Sequence, residues 1–177
     1  MSTRGPAGYT IEPLREDHAE ALAAAYARSH RHLERYEPRR ADGFATTERQ
    51  AATIRTALEN GAAGRSASWV LVHDDGDVVG RVNLNDVVRG AFDSGNLGYW
   101  VDVHHLRRGL ATWAVLHACD AARDMGLHRV QAATLLENGP SQKVLARSEF
   151  EWIGTAPAYL HIDGRWQDHH LFQRILA

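Results

Sequence analysis

The stretch that decides the fold is His105-Leu106-Arg107-Arg108-Gly109-Leu110-Ala111-Thr112. It follows an apolar, strand-like run at 97–103 and opens an amphipathic run at 111–125. The first amide N–H groups of a helix have no internal partner, and the helix dipole adds about half a positive charge there. A phosphate can bind at such a place without a dedicated side chain. The turn at 106–112 therefore predicts a site for a phosphate-bearing ligand, although Arg-Arg-Gly at a helix start is also typical of a solvated turn.

The composition is that of an ordinary globular domain. The 177 residues, 44% hydrophobic and 24% charged, suffice for one domain with its own core, expected over residues 1–177. A net charge of −2 gives no reason to expect nucleic acid or anionic lipid as a partner. No apolar run approaches the length of a membrane span, and residues 1–6 lack an apolar signal core. We expect a cytoplasmic protein with no nucleic-acid or membrane partner.

Neither the cysteine nor the histidines form a metal-binding pattern. Cys119 is the only cysteine, so no internal disulfide is expected, and it lies in a helical pattern where free cysteine behaves as a small hydrophobe. The 11 histidines form no His-Glu-x-x-His frame, and a lone cysteine forms no Cys-x-x-Cys frame. We expect no metal site.

Hydrophobic periodicity and turn signals predict the element order βααβββαβαββ. This is an α+β fold: a central mixed, mostly antiparallel sheet of about seven strands, flanked by about four helices. A ligand crevice is expected where the strands at 96–103 and 129–135 splay apart. The other strands are predicted at 8–15, 67–73, 78–85, 150–153 and 169–175, the last two joined across Asp163-Gly164; helices are predicted from Asp17, from Thr46 or Thr47 to 60–61, at 111–125 and from Asn138.

Five segments spread over nearly the whole chain carry a family resemblance: 98–102, 106–112, 126–130, 137–145 and 159–168. Together they resemble the Gcn5-related N-acetyltransferase (GNAT) family, and within it the RimJ/RimL branch of ribosomal-protein N-terminal acetyltransferases. The resemblance implies the GNAT fold and an N-acetyltransferase that uses acetyl-CoA. Three residues depart from the family pattern. Leu106 stands where Gln or Arg is common, Arg107 where glycine often stands, and Glu149 where Gly precedes Phe, so a different turn is expected at Ser148-Glu149-Phe150.

The resemblance also implies how acetyl-CoA is held. Backbone at Val101 and Val103 would pair with the pantetheine arm like an added strand. Asn138 would hold the same arm through its side chain or backbone. The pyrophosphate would be bound by the N–H groups of Arg107, Arg108, Gly109, Ala111 and Thr112.

Catalytic roles are implied for fewer residues. Ser141 matches the serine proposed in this branch to protonate the departing thiolate, although Asn138 and Ser141 also make a good helix start. No carboxylate lies on the strand at 97–101, so the base is open among His161, Glu37 and His32, or a water held by Asn83, Asn85 and Asp86. An α-amine is partly neutral near pH 7.7–8, so a strong base is not required.

The acceptor is expected to be a primary amine, with a protein or peptide N-terminus favoured by the branch. A small-molecule amine such as an antibiotic or polyamine is the alternative, and a non-catalytic acyl-CoA-binding domain is another. Segments 29–44 and 159–166 are expected to form the acceptor groove. Their mixed charges do not select a substrate sign. A homodimer is compatible with this interpretation.

Overall fold

One mixed eight-stranded sheet organises the computed structural model, which describes residues 3–176. Its spatial order is β1-β2-β3-β4-β5-β6-β8-β7, and every neighbouring pair is antiparallel except β5 and β6. The strands are β1 (Thr3–Arg4), β2 (Tyr9–Pro13), β3 (Ala67–His73), β4 (Val78–Val88), β5 (Ser94–Val101), β6 (Arg129–Leu135), β7 (Glu151–Ile162) and β8 (Arg165–Ile175); the helices are α1 (Ala19–Leu33), α2 (Thr47–Ala62), α3 (Leu110–Asp124) and α4 (Gly139–Arg147).

The predicted α+β class, mixed sheet and helix positions are confirmed. The order differs by one element, because the two-residue β1 pairs with β2 and is too short to show an alternating pattern. Asp17 lies in a 3-10 turn, Glu16–His18, so α1 begins at Ala19. The closing strands are longer than predicted and form one hairpin. The expectation about the N-terminal residues falls partly on Met1 and Ser2, which lie outside the described range.

Helices cover both faces of the sheet. On one face α3 buries a stripe that includes Leu110, Val115 and Cys119 against β4, β5 and β6, as the spacing of its apolar residues dictates. On the other face α1 and α2 pack against Trp100 and the inward side chains of β3. Each fully buried leucine or isoleucine contributes about 1.5–3 kcal/mol. Because helices cover both faces, side chains on either face of the central strands can be buried, including polar ones.

A gap opens between β5 and β6. They pair in parallel only from Ser94↔Arg129 to Asn96↔Gln131. Beyond that point β5 stays paired with β4 alone, and β6 stays paired with β8 alone. In β4 the register shifts between Asn85 and Val88, beside the last β5–β6 pair. A bulge bends its strand and increases the local twist. The predicted splay is therefore present, and the first turns of α3 and α4 follow the C-terminal ends of β5 and β6.

Candidate active site

The turn before α3 presents a row of free backbone N–H groups. The first backbone hydrogen bond of the helix runs from Trp113 N–H to the Gly109 carbonyl, at 3.0 Å. Within residues 3–176 the amides of 106–112 have no hydrogen-bond acceptor. Arg107 (φ 60°) and Gly109 (φ 78°) are both left-handed, and alternation of this kind curves successive N–H groups into an anion-binding concavity. The turn thus has the geometry that the sequence predicts.

A buried carboxylate anchors the chain just before this turn. Asp102 is fully buried and accepts hydrogen bonds from Arg28 Nε of α1 and from the His104 amide, both at 2.9 Å. Arg28 also donates to the Val78 carbonyl at 3.2 Å and lies 3.6 Å from Asp77. This network joins α1, the β3–β4 turn and the end of β5.

The side chain of Arg108 turns away from the row of amides. Its Nη1 donates to the Tyr9 hydroxyl at 2.9 Å, and that hydroxyl lies 2.9 Å from His105 Nδ1. Burial lowers the pKa of His105, which favours the neutral ring that can accept a hydrogen bond. Arg108 therefore braces the turn against β2, and only its backbone amide faces the predicted anion site.

The edge of β5 that faces the gap is open. The Asp102 amide donates to the Val79 carbonyl, so the polar groups of the alternate residues Val101 and Tyr99 point away from β4. Val101 thus lies on an open edge of the sheet, and its pairing with the pantetheine arm stays a prediction. Val103 lies in a 3-10 turn, and its N–H donates to Ser29 Oγ at 3.2 Å. The predicted pairing of Val103 with the pantetheine arm stays a prediction. Its amide N–H is already hydrogen-bonded to Ser29, so such pairing would have to use its carbonyl.

Two hydroxyl groups meet across the gap. Asn138 caps α4, and its Oδ1 accepts from the Ser141 amide at 3.2 Å. Ser141 Oγ lies 2.7 Å from the hydroxyl of Tyr99 on β5. Burial raises the pKa of Tyr99 to about 12, while the hydrogen bond with Ser141 opposes the shift. Sequence reasoning missed Tyr99, because nothing in its local pattern reveals a contact 42 residues away.

The predicted base candidates do not converge on Ser141. Glu37 is half-buried and pairs with Arg40 at 3.0 Å, and His161 is exposed on β7 with its ring centroid 5.6 Å from that of Trp166. Within residues 3–176 no hydrogen bond joins Ser141 to either of them. Their assignment as the base stays a prediction.

The remaining base candidates lie on the side of α1 and β4. His32 is half-buried, with its ring centroid 5.9 Å from that of Tyr36. Asn83 accepts from Arg81 Nε at 2.7 Å, whereas Asn85 and Asp86 are exposed. Only Asn83 is held in place by a short hydrogen bond to a buried residue.

A cleft of about 260 Å³ separates the end of β6 from the final hairpin. It begins at Glu137, directly before the cap of α4, and two carboxylates border it, those of Glu137 and Asp168. Sequence reasoning gave neither carboxylate a role. Residues 165–168 of the hairpin thus line this cleft together with Leu136 and Glu137. The lining residues are Leu136, Glu137, Arg165, Trp166, Gln167 and Asp168.

Two departures from the family pattern occupy left-handed positions. Arg107 and Glu149, at φ 60° and 62°, both adopt a conformation that glycine takes at least strain. After α4 the Phe150 amide donates to the Leu145 carbonyl at 3.0 Å, which closes the helix in the manner usual for a glycine. Glu149 also pairs with Arg174. The expectation of a different turn at Ser148-Glu149-Phe150 is therefore wrong, because Glu149 adopts the left-handed conformation of the usual glycine and the helix closes in the same way.

Residues 3–176 contain no group of three or more side chains placed to hold a metal ion. In the same range no helix has the length and apolar character needed to cross a membrane. Cys119 is buried, and burial raises the pKa of its thiol, so it packs as a core residue.

Comparison with known proteins gives consistent matches. The family model for the acetyltransferase (GNAT) domain matches residues 9–151. The [ribosomal protein uS5]-alanine N-acetyltransferase of Escherichia coli is 32% identical over 152 residues, which cover 85% of this chain and 78% of that protein.

Two crystal structures match almost the full chain. Ribosomal-protein-S5-alanine acetyltransferase from Vibrio fischeri has a TM-score of 0.94 at 29% identity, covering 99% of this chain and 96% of that one. Mycobacterium smegmatis RimJ, in complex with CoA-disulfide, has a TM-score of 0.89 at 30% identity, covering 99% and 86%.

Proposed function

Since the chain belongs to the GNAT acetyltransferase family and is an N-acetyltransferase, we propose that it transfers acetyl from acetyl-CoA to the N-terminal α-amine of a protein. The observation that carries the proposal is the junction at the β5–β6 gap. There the open edge of β5 and the Tyr99–Ser141 pair border the gap, and the free amides of 106–112 follow the end of β5 along the chain. The proposal assigns this activity to one domain over residues 1–177.

The residues present fit a coenzyme A molecule. The amides of Arg107, Arg108, Gly109, Ala111 and Thr112 would hold the diphosphate, since they lack acceptors in the described chain. Val101 would pair with the pantetheine arm, and Asn138 at the cap of α4 would support the same arm. When bound, acetyl-CoA supplies an activated acyl group to the crevice.

Ser141 would act on the departing sulfur. Neutral Tyr99 can donate its hydrogen to Ser141 Oγ, which leaves the serine hydrogen free to be donated into the gap. An outward N–H on the β5 edge would polarise the thioester carbonyl. Holding donor and amine in register contributes about 7–11 kcal/mol at best.

The incoming amine needs to lose a proton. Glu37 and His161 stay the candidates for this step, or a water held by Asn83. An α-amine with an ordinary pKa near 7.7–8 is partly neutral at physiological pH. A side-chain base that deprotonates it would therefore increase the reaction rate only modestly. We therefore expect the rate to rise with pH through the pKa of the substrate.

The names of the relatives indicate the acceptor. Both the E. coli and the V. fischeri proteins act on an alanine of a ribosomal protein. We propose an N-terminal alanine of a ribosomal protein as the substrate class here, and the cytoplasm, where ribosomal proteins are made, as the place of action. A homodimer stays a prediction, which ultracentrifugation would check.

Acetyl transfer to a mixed panel tests the proposal. The protein is incubated with acetyl-CoA and peptides that begin with Ala, Ser or Met, with polyamines and with aminoglycosides, and free thiol is measured. We expect turnover with Ala peptides and a mass gain on the α-nitrogen. Turnover confined to polyamines or aminoglycosides would establish the small-molecule alternative, and coenzyme A binding without any turnover would indicate a non-catalytic domain.

A further inference from the structure

Arg81 is an unusual residue for the middle of a sheet. It lies on β4 opposite Trp100 of β5, and only 7% of its surface is exposed. Paired residues on antiparallel strands project to the same face. Trp100 packs against Tyr26 of α1 with ring centroids 4.5 Å apart, so Arg81 projects to the face covered by α1 and α2.

The guanidinium lacks an anionic partner. Its Nε donates to Asn83 Oδ1 at 2.7 Å, and within residues 3–176 no carboxylate oxygen lies within 4.0 Å of it. Burial lowers the pKa of Arg81 and nearby Arg40 adds to the shift, whereas Tyr26, which also forms a side-chain hydrogen bond with it, and Glu37 oppose the shift. Glu37, the nearby carboxylate, pairs with Arg40. A buried cation without an anionic partner is costly, which suits a group that a substrate completes.

The position of Arg81 places it beside the reaction crevice. Adjacent strands lie about 4.8 Å apart, so Arg81 is one strand away from the open edge of β5. It lies on the α1–α2 face, whereas α3 begins on the other face, so it approaches the crevice from the side opposite the phosphate turn. The next β5 residue on its face is Gly98, where an added Cβ would meet Asn85 Nδ2 at 3.6 Å and no closer atom. Space without side chains thus lies beside Arg81 and Asn83.

We infer that Arg81 binds the first peptide carbonyl of the acceptor and so selects α-amines of peptides over amines that lack a neighbouring carbonyl. The inference rests on the proposed N-terminal acetyltransferase activity and assigns its specificity. A guanidinium is donor-only and always charged, so it suits a carbonyl oxygen and repels a second cationic nitrogen of a polyamine. The same charge beside an α-ammonium lowers its pKa and increases the neutral fraction that attacks.

The test compares two matched peptides. One begins with alanine, and the other replaces that alanine by 6-aminohexanoate, which keeps a primary amine but moves it away from the carbonyl. In Arg81→Gln we expect kcat/KM for the alanine peptide to fall about tenfold or more, as loss of a charge-assisted hydrogen bond implies. We expect kcat/KM for the aminohexanoyl peptide to change less than about twofold. The pH midpoint of kcat for the alanine peptide, which reports the amine in the bound complex, should also move upward.

Two further variants separate contact from general charge. Arg89→Gln removes an exposed cation that lies after the same strand, outside both segments expected to form the acceptor groove, and should leave the ratio of the two peptides unchanged. Arg81→Lys keeps the charge and should lose most of the discrimination while retaining the pH midpoint. Coenzyme A affinity and melting temperature, measured on each variant, show that the protein is folded.

The outcomes distinguish the inference from its premise. If wild type acetylates alanine peptides but folded Arg81→Gln and Arg81→Lys discriminate as wild type does, the inference is wrong and the proposed function stands. If wild type acetylates no peptide, the proposed function fails first. If Arg81→Gln is unfolded, the test uses Arg81→Lys instead, and the ratio of kcat/KM for the alanine and aminohexanoyl peptides decides in the same way.

Discussion

The hydroxyl oxygens of Tyr99 and Ser141 lie 2.7 Å apart, and they join β5 to the first turn of α4 where β5 and β6 have separated. Tyr99 also approaches the Ser141 carbonyl, at 3.3 Å. The pair therefore fixes the rotamer of the serine and the direction in which its hydrogen can be donated. A serine without this partner would be free to turn toward solvent.

Replacing either hydroxyl should slow acetyl transfer. We expect Ser141→Ala to lower kcat by about tenfold or more, and Tyr99→Phe to lower it by about fivefold, since a hydrogen bond of this kind contributes about 1 kcal/mol. Single-turnover kinetics and coenzyme A titration would separate chemistry from binding, and the dissociation constant should be nearly unchanged. Because the two groups act together, the double variant should resemble Ser141→Ala alone. An additive double variant would show that Tyr99 acts independently of Ser141.

Tyr99 should make stability decline at high pH. The tyrosine pKa is about 12 in the fold and ordinarily about 10, so the unfolded chain releases this proton first. Stability is thus complete below pH 10 and falls as pH rises toward 12, by about 2–3 kcal/mol at most. Urea unfolding at pH 9, 10 and 11 measures the slope, which should be shallower in Tyr99→Phe. Tyr26, whose pKa burial also raises, contributes equally to both proteins, so only the difference between them is diagnostic.

Removing the buried carboxylate beside the phosphate turn should destabilise the fold. In Asp102→Ala the Arg28 guanidinium and the His104 amide lose their acceptor, and we expect a loss of about 3 kcal/mol in the free energy of unfolding. Asp77→Ala is a matched control, because Asp77 pairs with the same arginine but its side chain is 59% exposed. Its loss should be below about 1 kcal/mol. Equal losses in chemical denaturation would mean that burial of Asp102 is irrelevant.

Two substitutions at Gly109 should separate an effect on the stability of the fold from an effect on coenzyme A affinity. An added Cβ meets no atom within 4 Å, so Gly109→Ala should lose only about 1 kcal/mol through its φ of 78°. Gly109→Asp adds a negative charge at the anion site and should weaken coenzyme A binding by about tenfold or more. Gly76→Asp is the control, since Gly76 has a φ of 92° and equally open surroundings in the β3–β4 turn. Calorimetry that showed equal affinity in both Asp variants would remove 106–112 from the binding site.

The central sheet could be predicted from the sequence because burial there follows a simple pattern. β3 and β6 have the predicted bounds, since apolar residues alternate or run together between clear turns. The final hairpin and its turn at Asp163-Gly164 could also be predicted, but the length of its strands could not, because β7 is exposed along most of its length and shows no alternation of buried and exposed residues. Its register also shifts twice, once on either side of Thr155. Pairing with β8, rather than burial, sets its extent.

The candidate site was predictable where it is built from backbone and not where it depends on distant side chains. The free amides before α3 follow from a strand, a tight turn and a helix in sequence. Arg81 looks solvent-facing in the alternating run of β4, and only the helices on the second face of the sheet bury it. Tyr99 and Ser141 meet through the topology of β5 and α4, which no local spacing encodes.

The two outer strands of the sheet have a consequence for solubility. β1 offers only two residues for pairing, and β7 is interrupted by Pro157 and by its two register shifts. Within residues 3–176 neither border presents a long, regular row of unsatisfied amides, and such borders disfavour edge-to-edge aggregation. The irregular hairpin therefore protects the protein against self-association through strand addition even though it exposes two tryptophans.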